Sequence, residues 1–147
     1  MKPSAALLFA LLLLAGGPLA AGAQSAKDSG LVDCRIDAGP CTKTKGRLSA
    51  SLDITPKPVK VMREATFIVE LKDQGRPLIG ASPVIGLTMP GMYMGTNRVR
   101  LNPVKDGVYT GTGVIIRCPS GKKVWKASVF LKQTDKTPAI SYTFEVN

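Results

Sequence analysis

From Leu48 onward the chain alternates apolar and polar residues in short runs. Leu48, Ala50, Leu52 and Ile54 alternate with Ser49, Ser51 and Asp53. Phe67, Val69 and Leu71 alternate with Thr66, Ile68 and Glu70, and Ile85, Leu87 and Met89 form a third set. Val99 and Leu101 follow, then Tyr109, Gly111, Gly113 and Ile115 on one face of a fifth run. Trp125, Ala127, Val129 and Leu131 make a sixth, and Tyr142, Phe144 and Val146 close the chain. A period of two is the mark of a half-buried strand. Turn residues separate the runs: Thr55-Pro56-Lys57-Pro58, Asp73-Gln74-Gly75, Pro90-Gly91, Lys105-Asp106-Gly107, Pro119-Ser120-Gly121 and Thr137-Pro138. About seven short strands with regular turns predict an all-β fold, an immunoglobulin-like β-sandwich over residues 46–147. Trp125 is expected in the core with its indole N–H paired. Gly91, Gly95 and Gly107 are expected at positive φ.

Ahead of the sandwich, Lys2, the apolar run Ala5 to Leu14, the breakers Gly16-Gly17-Pro18 and the small-x-small step Ala21-Gly22-Ala23 predict a secretory signal peptide over residues 1–23. The run is short of the roughly 20 residues a membrane span needs. An uncleaved N-terminal anchor is the alternative. Cleavage places the protein in the periplasm or outside the cell. It also removes much of the 44% hydrophobic content and takes the net charge from +10 to +9 by loss of Lys2. The basic residues are spread along the chain, which implies weak attraction to acidic partners or an anionic membrane surface. Nucleic acid is a poor fit: no binding motif is present, and one Trp, three Tyr and four Phe give few stacking platforms. Oligomeric state is not set by these features.

Residues 24–45 read as an N-terminal arm, flexible or pinned by a disulfide. Cys34 and Cys41 flank a Gly39-Pro40 turn. The tight loop makes Cys34–Cys41 the preferred bridge, leaving Cys118 as a free thiol. Three cysteines allow three single-bridge pairings, and all stay open at this point. Zinc lacks support, since there is no His and no Cys-x-x-Cys.

One constellation carries chemistry. Met89, Met92 and Met94 fall within six residues around Pro90-Gly91, in a chain with no histidine. Thioether sulfur suits Cu(I) and little else in biology. Met89 continues the third run and belongs in the core. Met92 and Met94 are placed past the end of that strand, as ligands or as gap fillers beneath a loop. If the strands run up and down in turn, the loops holding Met92, Met94 and Cys118 share one end of the sandwich. The arm is expected to enter from the other end. Met62 is assigned to packing. Nothing points to an enzyme: there is no His for general-base work, no activated Ser or Cys, and no paired carboxylates. Gly111-Thr112-Gly113 lies within an alternating run and is no phosphate loop.

In order along the chain, Gly75-Arg76-Pro77-Leu78, Ile79-Gly80-Ala81, Met89-Pro90-Gly91-Met92-Tyr93-Met94-Gly95, Asp106-Gly107-Val108-Tyr109, Gly113, Lys123-Val124-Trp125 and Phe144-Glu145-Val146 resemble the YtkA-like domain. That domain is related to the soluble part of FixH-type proteins. The resemblance spans about residues 48–147. It implies an exported or membrane-anchored immunoglobulin-like domain with copper-handling or oxidase-assembly roles, and Met89, Met92 and Met94 as ligands. This chain departs from related copper carriers in lacking His, which removes a mixed His–Met site for Cu(II). The cysteine arm and Cys118 also fall outside the domain pattern. The resulting expectation is an exported accessory protein holding Cu(I) through Met92 and Met94, with Met89 or Cys118, and passing it to a membrane-bound acceptor. The alternative is a non-metal interaction module that uses the Met-Tyr turn as an apolar contact surface.

Overall fold

The computed structural model describes residues 31–147. The predicted leader and the first residues of the predicted arm lie outside the described residues. Ten strands form among those described: β1 (Cys41–Lys45), β2 (Leu48–Thr55), β3 (Glu64–Asp73), β4 (Arg76–Pro77), β5 (Val84–Met89), β6 (Met92–Arg100), β7 (Asn102–Lys105), β8 (Val108–Val114), β9 (Val124–Phe130) and β10 (Ile140–Glu145). One sheet has the order β1-β2-β3-β8-β7, with β4 also on β3; the other has the order β10-β9-β5-β6. The chain is a two-sheet antiparallel β-sandwich.

The alternating runs of the sequence are β2, β3, β5, β6, β8, β9 and β10. The three strands it did not mark are β1, β4 and β7. β1 and β7 are the two edges of the first sheet, and every residue of β7 is exposed. An edge strand with both faces wet has no apolar side to alternate with a polar one, so it leaves no period in the sequence. β4 is only two residues long.

Register in the first sheet follows from burial. Ala50, Leu52 and Ile54 on β2 stand opposite Leu71, Val69 and Phe67 on β3, and all six are buried. A slip of one residue would turn this whole set to solvent. Burying each large side chain contributes about 1.5–3 kcal/mol, so the register is strongly held. Trp125, Tyr109, Tyr142 and Phe144 fill the space between the sheets. The Tyr142 hydroxyl on β10 donates to the Ala50 carbonyl on β2 at 2.6 Å, tying one sheet to the other. Burial, with the nearby Asp33 charge second, pushes the Tyr142 phenol well above its ordinary range, so it stays a donor. Trp125 corrects an expectation. It is fully buried, but its Nε1 has no hydrogen-bond partner. The indole lies in an apolar cluster that offers no acceptor, at a cost of about 1–3 kcal/mol.

The segment read as an arm is pinned to the sandwich. Cys34 and Cys41 are bridged, with Cα atoms 5.7 Å apart. Cys34 and Ile36 join the core. The segment runs along β10, where Cys34 N–H donates to the Thr143 carbonyl, then turns back into β1. Its turn does not lie at the end expected. Val59 N–H and Asn147 Nδ2 both donate to the Asp37 carboxylate, and Val61 N–H donates to the Asn147 carbonyl. Asp37 thus sits with the β2–β3 loop, at the end that also holds the β5–β6 turn. The described part of the arm passes beside β10 and reaches that end, where Ile36 is buried in the core.

Two glycines of β8 allow the chain to change sheets. After Arg100 the chain leaves the second sheet and continues as β7 in the first. A Cβ on Gly111 would lie 2.1 Å from the Arg100 carbonyl oxygen, and one on Gly113 would lie 2.5 Å from a Val99 methyl. Glycine within a strand marks such a close backbone approach. Replacing Gly111 with alanine should therefore lower stability by at least about 2 kcal/mol, read as a lower urea midpoint. An unchanged midpoint would mean the crossing is looser than described.

Candidate functional site

The methionine cluster is built by a hairpin. Met89 and Met92 are cross-strand partners, so only Pro90 and Gly91 form the turn. Gly91 has φ of 73°. Proline at the second place and a positive-φ glycine at the third are the type II pattern. Such a turn splays hairpin strands rather than matching their twist. The strands then fall out of step: β6 takes five steps from Asn97 back to Met92 where β5 takes two from Leu87 to Met89. Gly95, at φ 76°, lies in this irregular stretch.

Met92 and Met94 therefore belong to β6, not to a loop beyond the third strand as expected. Pairing across the turn puts Met92 on the same face as Met89, which is 3% exposed. Met92 and Met94 both pack against the core, while Tyr93 between them is 89% exposed. Met94 is two residues from Met92, about 7 Å along an extended strand.

Cys118 meets this face from the β8–β9 connection. The thiol donates to Met92 Sδ, with the sulfurs 3.6 Å apart. Cys118 is unbridged and 3% exposed. Its Sγ lies 3.0 Å from the Ser120 hydroxyl. With the thiol proton directed at Met92, Ser120 is the donor to the sulfur. The surrounding chain favours this: Gly121 N–H donates to the Cys118 carbonyl at 3.0 Å, closing a turn with Pro119 at its second position. The turn brings backbone N–H groups round to the sulfur. Above all the Ser120 side chain, then the Ser120 and Lys122 amides and the Lys122 charge, hold the thiol below its ordinary range, against the opposing effect of burial.

The structure thus brings Met92 and Cys118 into contact, sets Met89 beside Met92, and leaves Met94 one repeat further along. Ser120 and Lys122 were missed from the sequence, where Pro119-Ser120-Gly121 served only as a turn signal. Met62 corrects another expectation: it is 59% exposed at φ 58°, and its N–H donates to the Ile115 carbonyl at 2.8 Å. The turn geometry holds its side chain out of the core. Among the described residues, no three His, Cys, Asp or Glu side chains come together as a metal site. A cleft of about 620 Å³ beside the disulfide, lined by residues 32–38 and Glu145, does not touch Met89, Met92, Met94 or Cys118.

Comparison with known protein families, curated proteins and solved structures finds no match for this chain. The YtkA-like resemblance accordingly rests on the motifs of the chain itself.

The Ser120 hydroxyl is the first cause of the lowered thiol pKa. Ser120→Ala should raise it, seen as a shift of the thiolate ultraviolet absorbance to higher pH. No shift would mean the hydroxyl does not serve the sulfur.

Proposed function

We propose that this protein is an exported accessory protein that binds Cu(I) at the Cys118–Met92 pair, with Met89 and Met94 as the flanking thioethers. The observation that carries this reading is the 3.6 Å approach of two unlike sulfur atoms from separate elements. A soft monovalent ion is the cation such a donor set suits. Carbon in place of either sulfur would pack as well, and only the sulfur offers a lone pair to a metal. The resemblance to the YtkA-like domain supports the reading at the level of fold. With β1, β4 and β6 set aside and β2, β3, β5, β7, β8, β9 and β10 taken as strands A to G, the pairing is compatible with the orders A-B-E-D and G-F-C of an immunoglobulin-like sandwich, which supports that reading. The Cys34–Cys41 bridge supports an oxidising compartment, in keeping with the predicted leader. A membrane-bound acceptor for the ion is part of the proposal.

The residues define what binding requires. Cys118 must give up its proton, which now points at Met92. Deprotonation frees the lone pairs of both sulfurs together. Ser120 and the neighbouring amides continue to donate to the thiolate, and burial keeps competing water away. Binding then releases one proton per ion. Affinity should rise about tenfold per pH unit below the thiol pKa and level off above it.

Competition against a chelator, on reduced protein, tests this. Cys118→Ser should remove Cu(I) binding and its pH dependence. Met92→Leu should weaken binding strongly while costing under about 1.5 kcal/mol of stability, and Met94→Leu should matter less. Full retention of binding in the Cys118→Ser and Met92→Leu variants would defeat the proposal. A second reading, a non-metal contact surface, is favoured by the exposure of Tyr93; it predicts no Cu(I) binding in the wild-type protein.

A further inference from the structure

The outer face of the second sheet carries two arginines that share one cleft. Val99 and Leu101 are buried, so the residues that alternate with them, Arg98 and Arg100, point away from the core. Both are exposed. They stand about 7 Å apart along β6, opposite Gly86 and Val84 of β5. Neither makes a salt bridge among the described residues. Asp135, in the turn after β9, accepts instead from the Lys132 N–H at 2.9 Å. The cleft has a volume of about 340 Å³ and is lined by Val84, Arg98, Arg100 and Gln133, with no acidic side chain in its wall.

The local sequence holds one of these guanidiniums in place. Phe130 on β9 pairs with Val84, and its ring leans over Gly86, where a Cβ would lie 3.2 Å from it. The Arg98 guanidinium lies 5.4 Å from the centre of that ring and donates to the Gln133 carbonyl at 3.4 Å. A guanidinium has five N–H donors, so the rest remain for a ligand. Two like charges held this close repel each other, and an anion between them turns the repulsion into attraction. We infer that this cleft binds a small phosphate-type oxyanion, held between Arg98 and Arg100 with the Gln133 side-chain amide as a further donor. Guanidinium forks match phosphate oxygens in pairs. A dianion with several oxygens suits two guanidiniums, whereas one arginine already satisfies a single carboxylate. The cleft includes none of Met89, Met92, Met94 and Cys118, so the inference does not rest on metal binding.

The test is titration of the whole protein, labelled with nitrogen-15, with inorganic phosphate at constant ionic strength, followed through its amide resonances. Saturable shifts are expected at Gly86, Arg98, Arg100 and Gln133, and none when chloride replaces phosphate. Arg98→Ala and Arg100→Ala should each raise the Kd about tenfold or more. Arg98→Lys should raise it too, because lysine keeps the charge and loses the fork. Arg76→Ala and Lys105→Ala, at exposed positions elsewhere, should leave it nearly unchanged. Equal effects at all four positions, or shifts that never saturate, would mean diffuse attraction to a basic chain and overturn the inference. Acetate binding as tightly as phosphate would assign the cleft to carboxylates and overturn it. Binding to phosphatidylglycerol vesicles without binding of free phosphate would assign the arginines to a lipid surface and overturn it too. Circular dichroism of each variant confirms that the fold is kept.

Discussion

The apolar seal between the two sheets governs the position of everything else in this protein. Ala50, Leu52, Ile54, Phe67, Val69 and Leu71 on one side face Ile85, Leu87, Trp125, Ala127, Val129, Tyr142 and Phe144 on the other, all buried. The Tyr142 hydroxyl crosses that seal to the Ala50 carbonyl, so sliding one sheet over the other would strand a buried polar group. The unpaired Trp125 N–H is the cost of an interior with few acceptors. With the sheets locked, the β5–β6 hairpin and the β8–β9 connection have fixed origins. The meeting of Met92 and Cys118 follows from them.

Much of this was legible in the sequence. Period-two alternation located the strands with one buried face, because burial is what imposes the period. It was silent on β1 and β7, which bury neither face fully. The parity of the strands placed Met92 and Cys118 at one end, as found, and the tight Gly39-Pro40 loop marked the Cys34–Cys41 bridge. Met92 and Met94 were misplaced into a loop because a Pro-Gly turn spends only two residues, and the chain resumes pairing at once. The arm joins β2 from the end opposite the sulfur pair, as strand parity implies, but the sequence does not reveal that its turn reaches the sulfur end, because nothing in it shows Ile36 drawn into the core. Ser120 escaped notice as a sulfur donor: a turn residue and a hydrogen-bond donor to a side chain look alike until the turn is folded.

The candidate site combines rigid and adjustable parts. Met89 and Met92 are held by a paired hairpin. Cys118 is held by a turn whose amides and hydroxyl already favour a negative sulfur. Met94 sits beyond an irregular stretch of β6 containing Gly95, so its reach is least constrained by pairing. In the proposed site the thiolate is the anchor and the thioethers the adjustable partners, a different emphasis from the sequence reading, in which Met92 and Met94 held the ion with Met89 or Cys118 assisting.

The central claim is that a soft ion binds here through sulfur alone, with Cys118 as anchor. X-ray absorption spectroscopy of the Cu(I)-loaded protein tests it most directly. The account predicts a first shell made only of sulfur, altered when Met92 is replaced by leucine, and no bound Cu(I) at all when Cys118 is replaced by serine. A first shell containing nitrogen or oxygen, or a sulfur shell unchanged by both replacements, would contradict it.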